Sequence, residues 1–570
     1  MIQRLKGRSI LLILVLLTSH SIARAVGSDF HQAESQSDKV DKMFAQWSKP
    51  NSPGCELAVI KDGQIVYKRG YGMANLEHDI PMSPTSIMDT GSVSKQFTAM
   101  AVALLAEQGK LSLDDDIRKY LPEIPKYEST VMIRHLIHHT SGIRDYLTLM
   151  AIAGMRDDDY YVDGEVLSLL GRQKELNFKP GNEFLYSNSG YFLLSQIVKR
   201  TSGKTLREYA EENIFKPLGM TRTKFYDDHN EIVKNRAASY VPRKGGGFQI
   251  AATSLDMVGD GNVFTCVEDL FLWDQNFYHN KLGKGGPGLI DQVLTTGTLN
   301  NGEKIDYAFG LVIGEYRGLK IVEHGGAFIG YRAMTLRFPD QRFSVYLQCN
   351  LGTMNPSNLA RRVADIYLAD QLKPEVTKAG VSDTKFIELS DEDLKSKTGT
   401  YRNPLSGMIW KFHVNDHSLF ADAPNASIRF GAVSATEFRS IGAPAQITLR
   451  FENGQKSTLF IQRGTDKPIA FESVRLVTPT AAQMSEYTGE YRSDEVQASY
   501  KIVLEDGRLY LRHESEYKDY PKNPLQPTTV DSFVVQGLNI SFIRDTNRQI
   551  SAFSLNAGRV KNIKFVKKSS

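Results

Sequence analysis

The sequence predicts an α+β protein in which a domain of mixed helices and strands is followed by two antiparallel β-barrels. Apolar strands alternate with turn residues at residues 55–72 and again at residues 319–350. Helical patterns fill much of the stretch between them, beginning after Thr90. Beyond residue 388 the chain changes to short alternating strands, arranged as two copies about 90 residues apart.

The N-terminus has the composition of an export signal. Three basic residues among the first eight precede an apolar run at residues 10–17, and Ala23 and Ala25 are the small residues of a cleavage site. The apolar run is too short to span a bilayer. We therefore predict a signal peptide at residues 1–25, a periplasmic or secreted protein, and no integral membrane segment after signal removal.

The charge balance excludes nucleic acid as an expected partner. The chain of 570 residues carries 69 Lys and Arg against 65 Asp and Glu, a net charge of +4, with no long basic run. Its length exceeds that of one domain, and its 41% hydrophobic content is sufficient for several cores. The composition makes no prediction of oligomeric state.

Residues 55–72 predict a β-hairpin, because two apolar runs flank the turn dipeptide Asp62–Gly63. The three cysteines are odd in number and widely spaced, which does not describe a disulfide framework. One pair could bond in an exported protein. We nevertheless expect Cys55 and Cys349, which lie in strand-like runs, to be small buried hydrophobic residues.

The segment after Thr90 predicts a helix that carries Ser92 and Lys95 in its first turn and ends near Gly109. Residues three apart share a helix face, so the two side chains would lie one above the other. The helix N-terminus and burial both favour the neutral form of the lysine. A neutral lysine beside a hydroxyl is a base beside a nucleophile, as acyl transfer through a serine ester requires.

The apolar residues of this helix predict one buried stripe; they are Phe97, Met100, Ala101, Leu104 and Leu105. The Ser-x-x-Lys pattern is not decisive, because it also occurs at Ser382 and Ser515. The alternative is an ordinary N-cap serine with a solvated lysine.

A second motif, Tyr186–Ser–Asn188, lies on a loop that enters an apolar helix. A tyrosine near a serine–lysine pair can transfer a proton from nucleophile to leaving group, and Asn188 can donate to a substrate carbonyl. The alternative is a packed loop tyrosine, since Tyr-x-Asn recurs at Tyr278 and Tyr401.

A third motif, His324–Gly325–Gly326–Ala327, continues a strand-like run. Glycines within a strand indicate close approach of the backbone to a ligand. The N–H of a residue just past them could pair with that of Ser92 as an oxyanion hole. The alternative is a simple turn.

The adjacent residues His138 and His139 suggest a metal site. Adjacent residues point to different sides of a helix, however, and no carboxylate or cysteine stands at ligand spacing. We assign both histidines a structural role and expect neither a metal nor a cofactor.

The C-terminal part contains an internal repeat, in which Thr398–Gly–Thr–Tyr401 corresponds to Thr488–Gly–Glu–Tyr491. Each copy consists of short alternating strands, which predicts two tandem antiparallel barrels. The predicted boundaries are an N-terminal domain at residues 26–375, a linker at 376–387, a first barrel at 388–477 and a second barrel at 478–570.

In order and spacing, the three motifs resemble those of the serine β-lactamase and penicillin-recognising superfamily, and within it the class C-like branch (peptidase family S12). The resemblance covers about residues 40–370 and includes residues 138–142, 180–191 and 261–270. It implies a β-lactamase/transpeptidase-like fold, with a five-stranded antiparallel sheet flanked by helices and a helical lobe. The tandem repeats resemble the two lipocalin-like barrels of bacterial D-aminopeptidases.

The resemblance also implies a role for each motif. Ser92 would be the nucleophile, Lys95 and Tyr186 its acid–base partners, and the Ser92 and Ala327 N–H groups the oxyanion hole. The substrate-binding residues would be Asn188, His324, Gly325, Gly326 and Ala327.

A departure from the family is His324, where penicillinases and D,D-peptidases usually carry lysine. A largely neutral histidine would hold a substrate carboxylate less firmly. The resemblance therefore implies an exported serine hydrolase acting through an acyl-enzyme on a small peptide, amide or ester substrate, with peptides containing D-amino acids among the candidates. A carboxylesterase, a weak β-lactamase and a non-catalytic peptidoglycan- or penicillin-binding receptor stay open as alternatives.

In the D-aminopeptidases a barrel loop reaches the active site and limits substrate size. Loops that cover sites tend to be long and polar. The candidates in this chain are residues 422–427 in the first repeat and residues 514–528 in the second. We predict that the longer, second loop narrows the cleft.

Overall fold

The computed structural model describes residues 34–156, 159–374, 386–404, 407–423, 426–443, 446–452, 458–463, 468–514 and 520–568. The predicted signal peptide and residues 376–385 of the predicted linker lie outside these ranges. Within them, no helix is both long enough and apolar enough to cross a membrane.

A six-stranded antiparallel sheet forms the centre of the N-terminal domain. In spatial order its strands are Val312–Tyr316, Leu319–Phe328, Tyr331–Phe338, Phe343–Cys349, Cys55–Lys61 and Gln64–Tyr71. The last two confirm the predicted hairpin. The five strands implied by the resemblance are corrected to six, because Val312–Tyr316 pairs along the first half of Leu319–Phe328.

The expectation for the cysteines is wrong for one pair. Cys55 and Cys349 are buried, as expected, but they are direct partners on adjacent strands and form a disulfide. The two residues are 294 positions apart, and only the strand order of the folded sheet brings them together. Cys266 is buried and free.

Helices cover both faces of the sheet. On one face, Gln36–Phe44 and Pro356–Tyr367 bury Val40, Phe44 and Val363 against the strands. The helices of the other face and of the helical lobe are Lys95–Glu107, Ile133–Ile137, Tyr146–Ile152, Asp163–Gly171, Asn188–Ser202, Leu206–Ala210, Lys216–Leu218, Val267–Asn276 and Gly288–Val293. Short strands complete this domain at Met73–Asn75, Ile80–Pro81, Met88–Asp89, Tyr160–Tyr161, Lys224–Phe225, Tyr240–Pro242, Phe248–Ile250, Ser254–Leu255 and Val263–Thr265.

The first C-terminal unit is a closed barrel of eight antiparallel strands that follows the helix Asp391–Lys395. Its strands are Gly399–Arg402, Ile409–Asn415, Ser418–Ala423, Ala426–Ala432, Glu437–Ile441, Ile447–Phe451, Thr458–Arg463 and Ile469–Val474. Buried and exposed positions alternate along the strands, as in Trp410 and Phe412, so apolar side chains fill the interior.

The second unit repeats this plan with a nine-stranded antiparallel sheet after the helix Ala481–Glu486. Its strands are Gly489–Ser493, Ala498–Glu505, Arg508–Glu514, Asn523–Pro524, Gln526–Pro527, Ser532–Val535, Leu538–Arg544, Ile550–Ala557 and Val560–Lys567. The equivalent tyrosines Tyr401 and Tyr491 are both buried. The predicted architecture of one mixed domain and two barrels is therefore confirmed.

A buried ion pair joins the second barrel to the helical lobe. Arg144 Nη1 lies 2.6 Å from a carboxylate oxygen of Glu495, and both side chains are almost completely buried. The same carboxylate accepts from the Lys174 N–H, and Arg144 also donates to the carbonyl of Asn562. The barrel is thus docked beside Asp145, whose carboxylate accepts a hydrogen bond from the Asn188 N–H.

Replacing Glu495 with alanine should weaken this docking. The change leaves the Arg144 charge buried without its counter-ion, which typically costs about 3–5 kcal/mol. We expect the free energy of unfolding, measured by urea denaturation, to fall by about this amount. Glu490→Ala is the matched control, because Glu490 pairs with Lys568 at the surface and such pairs contribute about 0–1 kcal/mol. Equal losses in the two variants would contradict the proposed role of the buried pair.

Candidate active site

Ser92 lies in a 3₁₀ turn, Gly91–Ser94, that leads directly into the helix Lys95–Glu107. The predicted helix is therefore present, but the serine lies one turn before its regular part. The helix is buried around its whole circumference from Lys95 to Leu105, instead of along one stripe, because the helical lobe surrounds it. Lys95 is thereby held inside the protein beside the serine.

The Lys95 side-chain nitrogen contacts three different parts of the site. Nζ lies 3.0 Å from Ser92 Oγ, 2.9 Å from Asn188 Oδ1 and 2.6 Å from the carbonyl oxygen of Asp260. Its side chain is fully buried. The alternative of a solvated lysine next to an N-cap serine is excluded by this burial and by the position of Ser92 inside the turn, whose N-cap residue is Thr90.

The strand Leu319–Phe328 packs directly against the serine turn. A Cβ added to Gly326 would lie 1.8 Å from the Thr90 carbonyl oxygen, and one added to Gly91 would lie 2.7 Å from the Ala327 nitrogen. Gly91 also has a φ of +53°, which favours glycine. The paired glycines are predicted to allow approach of a ligand, and both line the cavity; Gly326 also allows the close approach of the chain's own serine turn. Ser92 and Ala327 consequently line one cavity of about 810 Å³.

Tyr186 lies beside this pair, and its ring centroid is 5.0 Å from Lys95 Nζ. Its hydroxyl is buried and has no hydrogen-bond partner among the described residues. The ring of His139 lies 4.2 Å from that of Tyr186, and His139 Nδ1 accepts from the Ser187 N–H. The tyrosine is thus positioned by packing, while its hydroxyl is left for a group that enters the cavity.

Asn188 begins the helix Asn188–Ser202, and Asp145 holds it there. Asp145 Oδ2 accepts from the Asn188 N–H at 2.7 Å, and its other oxygen accepts from the Thr148 N–H. Because the Asn188 side-chain oxygen accepts from Lys95, the amide nitrogen is the donor that this side chain can offer a substrate.

Both ring nitrogens of His324 form hydrogen bonds with neighbouring residues inside the protein. Its Nδ1 lies 2.6 Å from the Gly325 carbonyl oxygen and its Nε2 lies 3.0 Å from the Tyr307 hydroxyl. The carbonyl can only accept, so Nδ1 carries the proton and Nε2 accepts from the tyrosine. Burial, reinforced by the nearby Lys95 charge, lowers the pKa of His324 to about 4. His324 is therefore neutral at pH 7, as the sequence suggested.

His324→Gln should leave the pH dependence of kcat/KM between pH 5 and 8 unchanged, because His324 does not titrate there in the folded protein. Stability should respond differently. Unfolded histidine binds a proton below about pH 6.5, whereas folded His324 resists protonation down to about pH 4. The wild type should therefore lose stability relative to the variant as the pH falls through this window, as thermal unfolding would measure. An acid limb near pH 6.5 that disappears in the variant would contradict this assignment.

The second barrel contributes a residue to the site from outside the predicted loop. Arg559 lines the serine cavity, and its guanidinium carbon lies 4.8 Å from the Tyr186 ring centroid. The Arg559 carbonyl accepts from Asn177 Nδ2, which anchors the turn to the helical lobe. Of the loop at residues 514–528, residues 515–519 lie outside the described ranges, and Tyr520 lines a neighbouring cavity instead.

Sequence analysis also missed Asp260. It is buried in the cavity wall, and burial raises the pKa of its carboxyl to about 6 against the opposing effect of the Lys95 charge. Tyr146 donates to both of its carboxylate oxygens, at 3.3 and 3.1 Å. The segment 261–270 resembles the family, and Asp260 directly precedes it. Asp260 could therefore have been predicted as a site residue from the same resemblance.

The described residues with metal-ligand geometry lie elsewhere. Asp228, His229 and Asp256 have ligand atoms within 4.8 Å of one another, and His229 Nδ1 is already paired with Asp256. None of the three lines the serine cavity. His138 Nδ1 contacts the Tyr307 carbonyl, which fits its predicted structural role.

Comparison with known proteins identifies the family. The family described as Beta-lactamase matches residues 40–370, more than half of the chain. The protein belongs to the β-lactamase family. A D-aminopeptidase of Brucella anthropi is 27% identical over 464 residues, covering 80% of this chain and 82% of the relative. A penicillin-binding protein of Bacillus subtilis is 32% identical over 296 residues, covering 49% of this chain and 64% of the relative.

Solved structures share the fold of this β-lactamase-family protein. The octameric penicillin-binding protein homologue from Pyrococcus abyssi superposes with a TM-score of 0.55 at 24% identity, covering 77% of this chain and all of that chain. Family membership and the relatives named as D-aminopeptidases together make this protein a serine hydrolase.

Proposed function

We propose that this serine hydrolase cleaves amide bonds in small peptides containing D-amino acids, through an acyl-enzyme on Ser92. The observation that carries the proposal is the contact between Lys95 Nζ and Ser92 Oγ, at 3.0 Å; Ser92 lines the cavity together with Tyr186, Asn188 and Ala327. A nucleophile with a base in hydrogen-bond contact, next to backbone donors, is the arrangement that acyl transfer needs.

In the proposed reaction Ser92 Oγ attacks the substrate carbonyl and gives its proton to Lys95. The N–H groups of Ser92 and Ala327 hold the developing oxyanion. Tyr186 gives its proton to the leaving amine and takes up the proton held by Lys95, so the C–N bond breaks, the amine leaves and the acyl group stays on Ser92 as an ester. Water then attacks this ester and gives up a proton, the bond between Ser92 Oγ and the acyl carbon breaks, and Ser92 Oγ takes up that proton as the carboxylic acid product leaves.

Two observations favour amides over penicillins. Two relatives from Brucella anthropi, matched over 82% of their own length, are named D-aminopeptidase. In addition, His324 is neutral, and its two ring nitrogens are hydrogen-bonded to Tyr307 and Gly325. It therefore offers no fixed positive charge to a penicillin carboxylate.

We also propose that the protein is exported, with residues 1–25 removed. The basic and apolar N-terminus supports this, and so does the disulfide between Cys55 and Cys349, because disulfides persist in oxidising compartments. Cell fractionation followed by N-terminal sequencing should find a mature chain beginning near Val26. An intact Met1 on the active protein would contradict export by cleavage.

A substrate panel tests the proposed function. Purified mature protein should turn over D-amino-acyl p-nitroanilides faster than the L-isomers, faster than short-chain esters, and faster than nitrocefin. A preference for esters would favour the carboxylesterase alternative. A single stoichiometric acylation without turnover would favour the receptor alternative, whose acyl-enzyme persists.

A further inference from the structure

The serine cavity continues into a second, mainly apolar cavity of about 650 Å³. Leu147, Leu255 and Phe328 line both cavities, so the two spaces meet at these side chains. Beyond them the second cavity is lined by the apolar side chains of Met150, Met155 and Ile329 and by one charged side chain, that of Arg156. Its volume is within the range of pockets that hold a small ligand.

The second barrel forms one side of this space. Tyr520 lines the cavity, and its hydroxyl donates to the Gly154 carbonyl at 2.5 Å. The helix Tyr146–Ile152 forms another side, with Ala151 exposed on it. The cavity is therefore completed by the docking of the barrel on the helical lobe.

The position of Tyr186 shows which end of a substrate would face this cavity. The Tyr186 and His324 ring centroids lie 6.4 Å apart, so the proton donor for the leaving group is at the His324 end of the strand Leu319–Phe328. Phe328 is four residues further, about 13 Å along an extended strand. A substrate with its carbonyl at Ser92 therefore directs its acyl portion toward Phe328 and the second cavity.

We propose that the second cavity is a subsite for a long or aromatic apolar group on the acyl side of the substrate. The inference rests on the proposed acyl-enzyme mechanism. The occupant is apolar because most of the lining side chains are apolar, and it belongs to the substrate because the cavity opens into the serine cavity. Transfer of such a group from water releases free energy in proportion to its apolar area.

A series of p-nitrophenyl esters from acetate to octanoate tests the subsite, because the leaving group stays constant while the acyl chain grows. We expect kcat/KM to rise about two- to fourfold for each methylene that enters the cavity. Ala151→Trp fills the cavity from an exposed position that does not line the serine cavity. This variant should lower the octanoate-to-acetate ratio at least tenfold and leave acetate hydrolysis within twofold.

Val66→Trp is the matched control, since Val66 is exposed on the sheet and lines neither cavity. It should leave the ratio unchanged. A wild type without chain-length preference, or an Ala151→Trp variant that keeps it, would overturn the subsite while acetate hydrolysis still supported the mechanism. Absence of both acetate hydrolysis and fluorophosphonate labelling of Ser92 would overturn the proposed function itself.

Discussion

Ser92→Ala is expected to abolish labelling by a serine-directed fluorophosphonate and to reduce kcat by about 10⁴- to 10⁶-fold. The change removes the oxygen that forms the acyl-enzyme, while Lys95 keeps its contacts with Asn188 and the Asp260 carbonyl. The fold should therefore survive. Mass spectrometry of the labelled wild type should place the adduct on the peptide that contains Ser92.

Ser382→Ala is the matched control for this experiment, because Ser382 begins another Ser-x-x-Lys sequence. It should be labelled and active like the wild type. An adduct on Ser382 or on Ser515 would contradict the assignment of the nucleophile.

Tyr186→Phe should fold normally and lose about 10²- to 10⁴-fold in kcat, the usual contribution of a general acid or base. The aromatic ring keeps its packing against His139, and only a hydroxyl without a protein partner is removed. Stability should consequently change little, whereas turnover of amides with poor leaving groups should fall most. Steady-state kinetics and thermal unfolding of the same samples measure the two effects.

Tyr278→Phe provides the comparison, since Tyr278 belongs to another Tyr-x-Asn sequence and does not line the serine cavity. Its kcat should equal that of the wild type. If Tyr186→Phe were equally active, the tyrosine would serve packing only, and proton transfer would fall to Lys95.

The local patterns were sufficient for much of the fold, but they did not single out Ser92 from the other Ser-x-x-Lys sequences at Ser382 and Ser515. The hairpin around Asp62, the helix after Ser92 and the two barrel repeats depend on hydrophobic period and turn residues, which are properties of neighbouring positions. Ser92 and Lys95 are three residues apart, so helical geometry alone predicts their contact. The local patterns around Asn188 and His324 were not specific for a substrate-binding site. Their assignment to the site came from the resemblance of the three motifs as a set.

Contacts between distant segments were decided only by the tertiary structure. Cys55 meets Cys349 because two strands are neighbours in the sheet, and Arg559 meets Tyr186 because the barrel docks through Arg144 and Glu495. Such contacts depend on strand order and on interface packing, which leave no periodic signal in a single sequence. The chain by itself thus determined its elements, their types and the proximity of Ser92 to Lys95. Which surfaces those elements bury against each other, and therefore the shape of the cavity around Ser92, was decided only when the whole chain packed.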